Sequence, residues 1–152
     1  MRWIFIDKFV EIQKNSYAKA IKNVTLGEDH IHDQYPVYPI MPHSLIIEAM
    51  AQTGGILAGY SLDFKKNIFL AKIEQASFSD LARPGDQIIL ESWIEDLRDE
   101  GCKVTASASI GGVRIGEAVL MFVCMNTDKT PDSHGDDFIF SRELLSVLNV
   151  AV

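Results

Sequence analysis

Pro42-His43-Ser44-Leu45-Ile46-Ile47-Glu48-Ala49-Met50-Ala51-Gln52-Thr53-Gly54-Gly55-Ile56-Leu57-Ala58-Gly59-Tyr60 carries its only proline at the first position and small or apolar residues at most others. Pro42 suits the opening turn of a helix, where its missing N–H is not needed. The spacing predicts a helix over Ser44 to Tyr60, loosened at Gly59 and by the polar residues beyond. Leu45, Ile46, Ile47, Ala49, Met50, Ala51, Ile56 and Leu57 leave this helix few solvent faces. A helix that is apolar most of the way round is a buried one, and a sheet curled around it would bury it.

The flanking sequence supplies that sheet. Trp3 to Ile12 and Tyr17 to Val24 are rich in aromatic, β-branched and alternating residues, and Lys14-Asn15-Ser16 between them has turn chemistry, so a hairpin is expected. Gly27 to Pro42 contains Pro36, Pro39 and Pro42 and is expected to be an ordered, extended loop without helix. After the helix, strands are expected over Ile68 to Phe78, Asp86 to Asp96, Lys103 to Ile110 and Ile115 to Met125. Arg83-Pro84-Gly85-Asp86, Asp99-Glu100-Gly101 and Gly111-Gly112 mark the turns between them. The expected class is α+β: a curled antiparallel sheet of about six strands around one long helix, occupying residues 1–126. Residues 127–152 read as a polar tail, mobile over 127–137, that ends in a short helix capped by Ser141.

Within the long helix, Ser44, Glu48 and Gln52 recur every fourth residue and Gly55 follows three later, which places all four on one narrow face. A carboxylate inside an apolar element is costly unless it is paired or neutral. Burial favours the protonated form, the form a general acid needs. Glu48 is therefore the first candidate for chemistry, with a groove-exposed carboxylate or an ion pair across a dimer interface as the plainer alternatives. Gln52, one turn on, can hydrogen-bond Glu48 and hold its rotamer. Gly55 lets a ligand approach the helix closely, whereas Gly54 reads as helix-to-sheet packing. The helix start at His43-Ser44 offers N–H groups that can polarise a carbonyl.

Composition narrows the class of function. Apolar residues make up 47% of the 152 and charged residues 23%, a balance that calls for a packed core. Net charge is −7, which argues against binding nucleic-acid phosphates. Cys102 and Cys124 have no Cys-x-x-Cys spacing and no neighbouring histidine, so no metal or redox motif is expected, and a reduced cytoplasmic setting is. Met1-Arg2-Trp3-Ile4-Phe5-Ile6-Asp7-Lys8 lacks a cationic stretch followed by an apolar core, and no apolar run reaches the roughly 18 residues of a membrane span. Neither export nor membrane insertion is expected.

Tyr35-Pro36-Val37-Tyr38-Pro39-Ile40-Met41-Pro42-His43-Ser44-Leu45-Ile46-Ile47-Glu48-Ala49-Met50-Ala51-Gln52 resembles, without a gap, the central motif of the β-hydroxyacyl-acyl-carrier-protein dehydratases of FabZ type. Ala20-Ile21-Lys22-Asn23-Val24-Thr25, Pro84-Gly85-Asp86-Gln87, Gly116-Glu117-Ala118 and Leu120-Met121-Phe122 extend the likeness over about residues 3 to 125. The resemblance implies a hotdog fold and a homodimer, with a trimer of dimers as a further assembly. In that family the helix glutamate of one subunit meets a loop histidine of the other at the end of an acyl tunnel. The implied reaction removes water from a (3R)-hydroxyacyl thioester, carried by acyl carrier protein, to give the trans-2-enoyl thioester in fatty-acid or related lipid synthesis. No metal or redox cofactor is implied.

The position of the family's catalytic histidine holds Gln34. A neutral amide cannot take the α-proton at neutral pH, so Gln34 would orient substrate instead. In an extended loop residues 30, 32 and 34 would face one way, making His32 the expected base after a shift of roughly 6 to 7 Å. His43, where the family has glycine, and Glu48 acting alone are the other options. Expected substrate contacts are Gln34, Gln52, His43, Ser44 and Gly55. After Phe78 the family's basic pair is replaced by Ser79 and Asp80, leaving Arg83, Lys65, Lys66 and Lys72 as candidates for carrier docking. An inactive acyl-binding or partner subunit and a hotdog acyl thioesterase stand as alternatives.

Overall fold

The computed structural model describes residues 4–34, 37–126 and 141–151, the side chains of residues 32–34 excepted. The expectation of a mobile segment at 127–137 lies outside these residues. Strand β1 (Lys8–Gln13) turns at Asn15, which takes a left-handed φ of 61°, into β2 (Tyr17–Asn23). A short helix α1 (Asp29–Gln34) precedes the long helix α2 (His43–Ser61). Four strands follow, β3 (Lys66–Phe78), β4 (Gln87–Arg98), β5 (Gly101–Ile110) and β6 (Val113–Asn126), and then α3 (Arg142–Val147). The six strands form one sheet in the order β1-β2-β4-β5-β6-β3, antiparallel throughout.

The expected fold is therefore the one found: an α+β architecture with a curled six-stranded sheet wrapped on α2. Alternation decides which side chains reach the helix. In β4, β5 and β6 the buried set is Ile88 and Leu90, then Val104, Ala106 and Ala108, then Ala118, Leu120 and Phe122. The alanines in this set let the strands approach α2, whose Ile46, Ala49, Met50, Ile56, Leu57 and Ala58 are almost wholly enclosed. At Gly54 an added Cβ would lie 3.1 Å from Val104 Cγ1 and 3.5 Å from the Phe122 ring, so this glycine serves packing, as expected.

Two expectations are corrected. Trp3 to Ile12 is not all strand: Phe5 and Ile6 are buried in the core, and the Phe5 N–H donates 2.8 Å to Gln52 Oε1 on α2, so the strand starts only at Lys8. An apolar run reads alike whether it pairs in a sheet or enters the core. Gly27 to Pro42 does contain helix, because the prolines all lie beyond Gln34 and leave Asp29–Gln34 free to wind. The long helix is found as expected, one residue longer at each end than Ser44 to Tyr60; it stops where Asp63 and Phe64 adopt φ of 53° and 50°, with Phe64 N–H returning 2.8 Å to Gly59 O. Gly59 leaves room for the Phe64 ring, which a Cβ would meet at 3.0 Å.

The two sheet edges differ. Beside β1 the terminal segment returns: Phe9 N–H donates 2.8 Å to Leu148 O, Asn149 Nδ2 donates 3.2 Å to Phe9 O, and Leu145, Leu148 and Val150 are buried. Ser141 caps α3 as expected, its hydroxyl accepting from Leu144 N–H at 3.3 Å. At the opposite edge, residues 71–77 of β3 are exposed on both faces.

Candidate active site

The polar stripe of α2 emerges from the core toward the helix start. Gly55 and Gln52 are buried, whereas Glu48 and Ser44 are exposed. This corrects the expectation of a carboxylate buried within one chain: the sheet encloses most of the second half of α2 and leaves one face of the first half, at Ser44 and Glu48, open. Glu48 is nevertheless held. Gln52 Nε2 donates 2.9 Å to Glu48 Oε1, while Gln52 Oε1 accepts the Phe5 N–H at 2.8 Å. The amide thus has both ends occupied, which fixes its orientation and presents an N–H to the carboxylate. The i, i+4 spacing made the first bond legible in sequence. The second comes from 47 residues away and had no local signal.

The start of α2 is set by its surroundings. No side chain caps it. Met41 is wholly buried and bridges to Ala82, its N–H donating 2.9 Å to Ala82 O, which ties the approach to α2 to the β3–β4 connection. His43 stacks on Phe78 at 4.2 Å between ring centres and 6° between planes, and its Nε2 lies 3.0 Å from Asp80 O. Its contacts are thus with the end of β3, a bracing role for the residue where the family has glycine. Arg83 Nη2 donates 3.0 Å to Tyr38 OH and Lys66 pairs with Asp99 Oδ1, so two of the candidate carrier contacts are engaged within the chain.

Helix α1 changes the geometry expected around Gln34. At about 100° per residue, positions 30 and 34 share one face of α1 and position 32 lies on the opposite one. The extended-chain argument that aligned His32 with Gln34 is therefore overturned. His30 is enclosed, at 8% exposure, beside Phe5, whose ring meets it edge-on at 5.6 Å. Burial lowers the pKa of its imidazole from the ordinary histidine value, with Lys22 adding to the effect and Glu28 and Asp29 opposing it.

Both cysteines are buried and free, and burial pushes the Cys102 thiol up to about 12. Among the described residues no cluster of metal-ligating side chains forms, and no helix is long and apolar enough to cross a membrane.

The curled sheet wrapped on one long helix agrees with comparisons to known proteins. The family model described as FabA-like domain matches residues 2–119, and the chain belongs to that family. The 3-hydroxyacyl-[acyl-carrier-protein] dehydratase FabZ of Caldicellulosiruptor saccharolyticus is 36% identical over 121 residues, covering 79% of this chain and 86% of that one. The protein of the same name from Rickettsia felis is 35% identical over 130 residues, covering 84% and 88%. The bifunctional enzyme LpxC/FabZ of Chlorobaculum tepidum is 39% identical over 128 residues, 81% of this chain but 27% of that longer protein. Among solved structures, the dehydratase heterocomplex ApeI:P of Xenorhabdus doucetiae superposes with a TM-score of 0.71 at 12% identity, covering 83% of this chain and 86% of that one. The fold is the hotdog fold.

Proposed function

We propose that this protein dehydrates (3R)-hydroxyacyl thioesters borne by acyl carrier protein, giving trans-2-enoyl thioesters for fatty-acid or related lipid synthesis. The observation that carries this reading is the Phe5–Gln52–Glu48 chain of hydrogen bonds, which holds one carboxylate in a fixed orientation inside the dehydratase motif. In the reaction a base removes the α-proton and the electron pair forms the Cα–Cβ double bond. The β-hydroxyl leaves as water with a proton from Glu48. N–H groups at the start of α2 would hold the thioester oxygen. With Gln34 unable to take a proton and His30 buried, His32 is the remaining histidine of α1 and the proposed base; Glu48 acting first as base and then as acid is the alternative. No metal or redox cofactor enters.

The open face at the start of α2 and the open β3 edge together support a homodimer in which the second subunit excludes water from Glu48. Lys65 and Lys72 are the proposed carrier contacts, and the cytoplasm is the proposed setting. A second reading, an inactive acyl-binding subunit that works beside a true dehydratase, is favoured by Gln34 alone.

The test follows enoyl-thioester absorbance with 3-hydroxyacyl substrates of several chain lengths. Wild type should turn over, and Glu48→Gln should lose about 10²- to 10⁴-fold, the usual worth of a positioned acid or base. His32→Ala should lose a similar factor if that imidazole is the base. Absence of turnover at every chain length, with acyl thioester still bound, would establish the inactive subunit; release of free thiol would establish a thioesterase.

A further inference from the structure

The molecule contains a second polar cluster that the proposed chemistry does not use. Lys22 belongs to the inward-facing set of β2 with Ala18 and Ala20, and its side chain is 5% exposed. A cation there needs a partner, and Glu28, ahead of α1, supplies one through Oε1. Glu28 Oε2 lies 3.1 Å from His30 Nε2, but at an angle that makes no hydrogen bond. Both atoms are buried and without a hydrogen-bond partner among the described residues. The three groups are enclosed by β2, α1 and the Phe5 segment. The charged groups acting on His30 are Glu28, Lys22 and Asp29.

The cluster touches the site through one residue. Phe5 packs its ring T-shaped against His30 and places its backbone N–H on Gln52, which in turn holds Glu48. We propose that His30 is a positioning residue for Glu48: its imidazole, beside Glu28 and Lys22, sets the Phe5 segment and hence the hydrogen bonds that orient the carboxylate. An aromatic hydrocarbon at position 30 would pack against Phe5 equally well and would leave the Lys22–Glu28 pair undisturbed. The imidazole adds a charge that responds to pH. On protonation Glu28 lies between two cations, the imidazolium is drawn into hydrogen-bonding alignment with Oε2, and the Phe5 ring packed against it shifts with it. This role rests on the reading of Glu48 as the acid.

Isotope-labelled full-length protein is titrated by NMR, following the His30 ring, the Phe5 amide and the Gln52 side-chain amide. The expected result is a step in both amide resonances that coincides with the His30 titration and lies below the roughly 6.5 of an ordinary histidine. In His30→Phe the step disappears, and the matching inflection is lost from the pH profile of kcat. Amide resonances that stay flat through the His30 titration of wild type overturn the inference, so the decision does not depend on the variant folding. Flat amides with turnover that requires Glu48 remove the role of His30 and leave the dehydratase reading standing. A coincident step in a chain indifferent to Glu48→Gln supports the coupling and removes that reading.

Discussion

Gln52 is the residue on which the site depends most directly. It is buried, and it hydrogen-bonds a backbone N–H on one side and a carboxylate on the other. Replacing it by leucine keeps the volume but leaves the buried Phe5 N–H without this acceptor, at a cost of about 1–3 kcal/mol. For a chain of this size that is a fall in Tm of roughly 2 to 12 °C. A thermal melt of Gln52→Leu should show that drop. Turnover by the folded variant should fall in kcat more than in KM, because Glu48 loses its orientation while the acyl chain keeps its contacts. Unchanged kcat at reduced Tm would make Gln52 a purely structural amide. His32 illustrates the opposite case. Its sequence position suggested alignment with Gln34, and a helical backbone removes that alignment.

At the scale of elements, α2 is placed by its two ends as much as by its core face. The start leans on the β3–β4 connection through Met41, Ala82 and the His43–Phe78 stack, and Phe78 in turn needs Gly116. A Cβ at Gly116 would lie 2.4 Å from Phe78 Cδ1, so even alanine displaces the ring and with it the platform under His43. Gly116→Ala is expected to cost about 1–3 kcal/mol, as overpacking does, measurable as a lower urea midpoint. Phe78→Leu in the same background should restore part of the loss by relieving the clash. Gly85, Gly111 and Gly112 differ in kind: no atom crowds them, and positive φ at turns is what they provide.

For the whole molecule, the asymmetry of the sheet edges is the main consequence of the topology. The β1 edge is occupied by the returning C-terminal segment, whereas β3 offers backbone groups and exposed Leu70 and Ile73. An uncovered edge of this length invites pairing, and a two-fold interface there would join two sheets edge to edge. Sedimentation of the purified chain is expected to give twice the chain mass. Ile73→Lys, which puts a charge on that exposed edge in both copies, should shift the equilibrium to monomer and lower dehydration with it. A dimer that survives the substitution unchanged would place the interface elsewhere.

The sequence by itself determined the order of the six strands around the long helix, the burial of that helix and the Glu48–Gln52 pairing. Each follows from short-range periodicity: alternation in strands, and four-residue spacing in a helix where neighbours on one face must touch. It also marked Gln34 as the departure from the family pattern, since chemistry at one position needs no geometry to read. The tertiary structure decided that Glu48 stands exposed on one chain, that Phe5 anchors Gln52, and that Lys22, Glu28 and His30 share a buried cluster. Those facts depend on contacts between segments that local periodicity does not relate, and on how far the sheet extends over a helix that is apolar along most of its length.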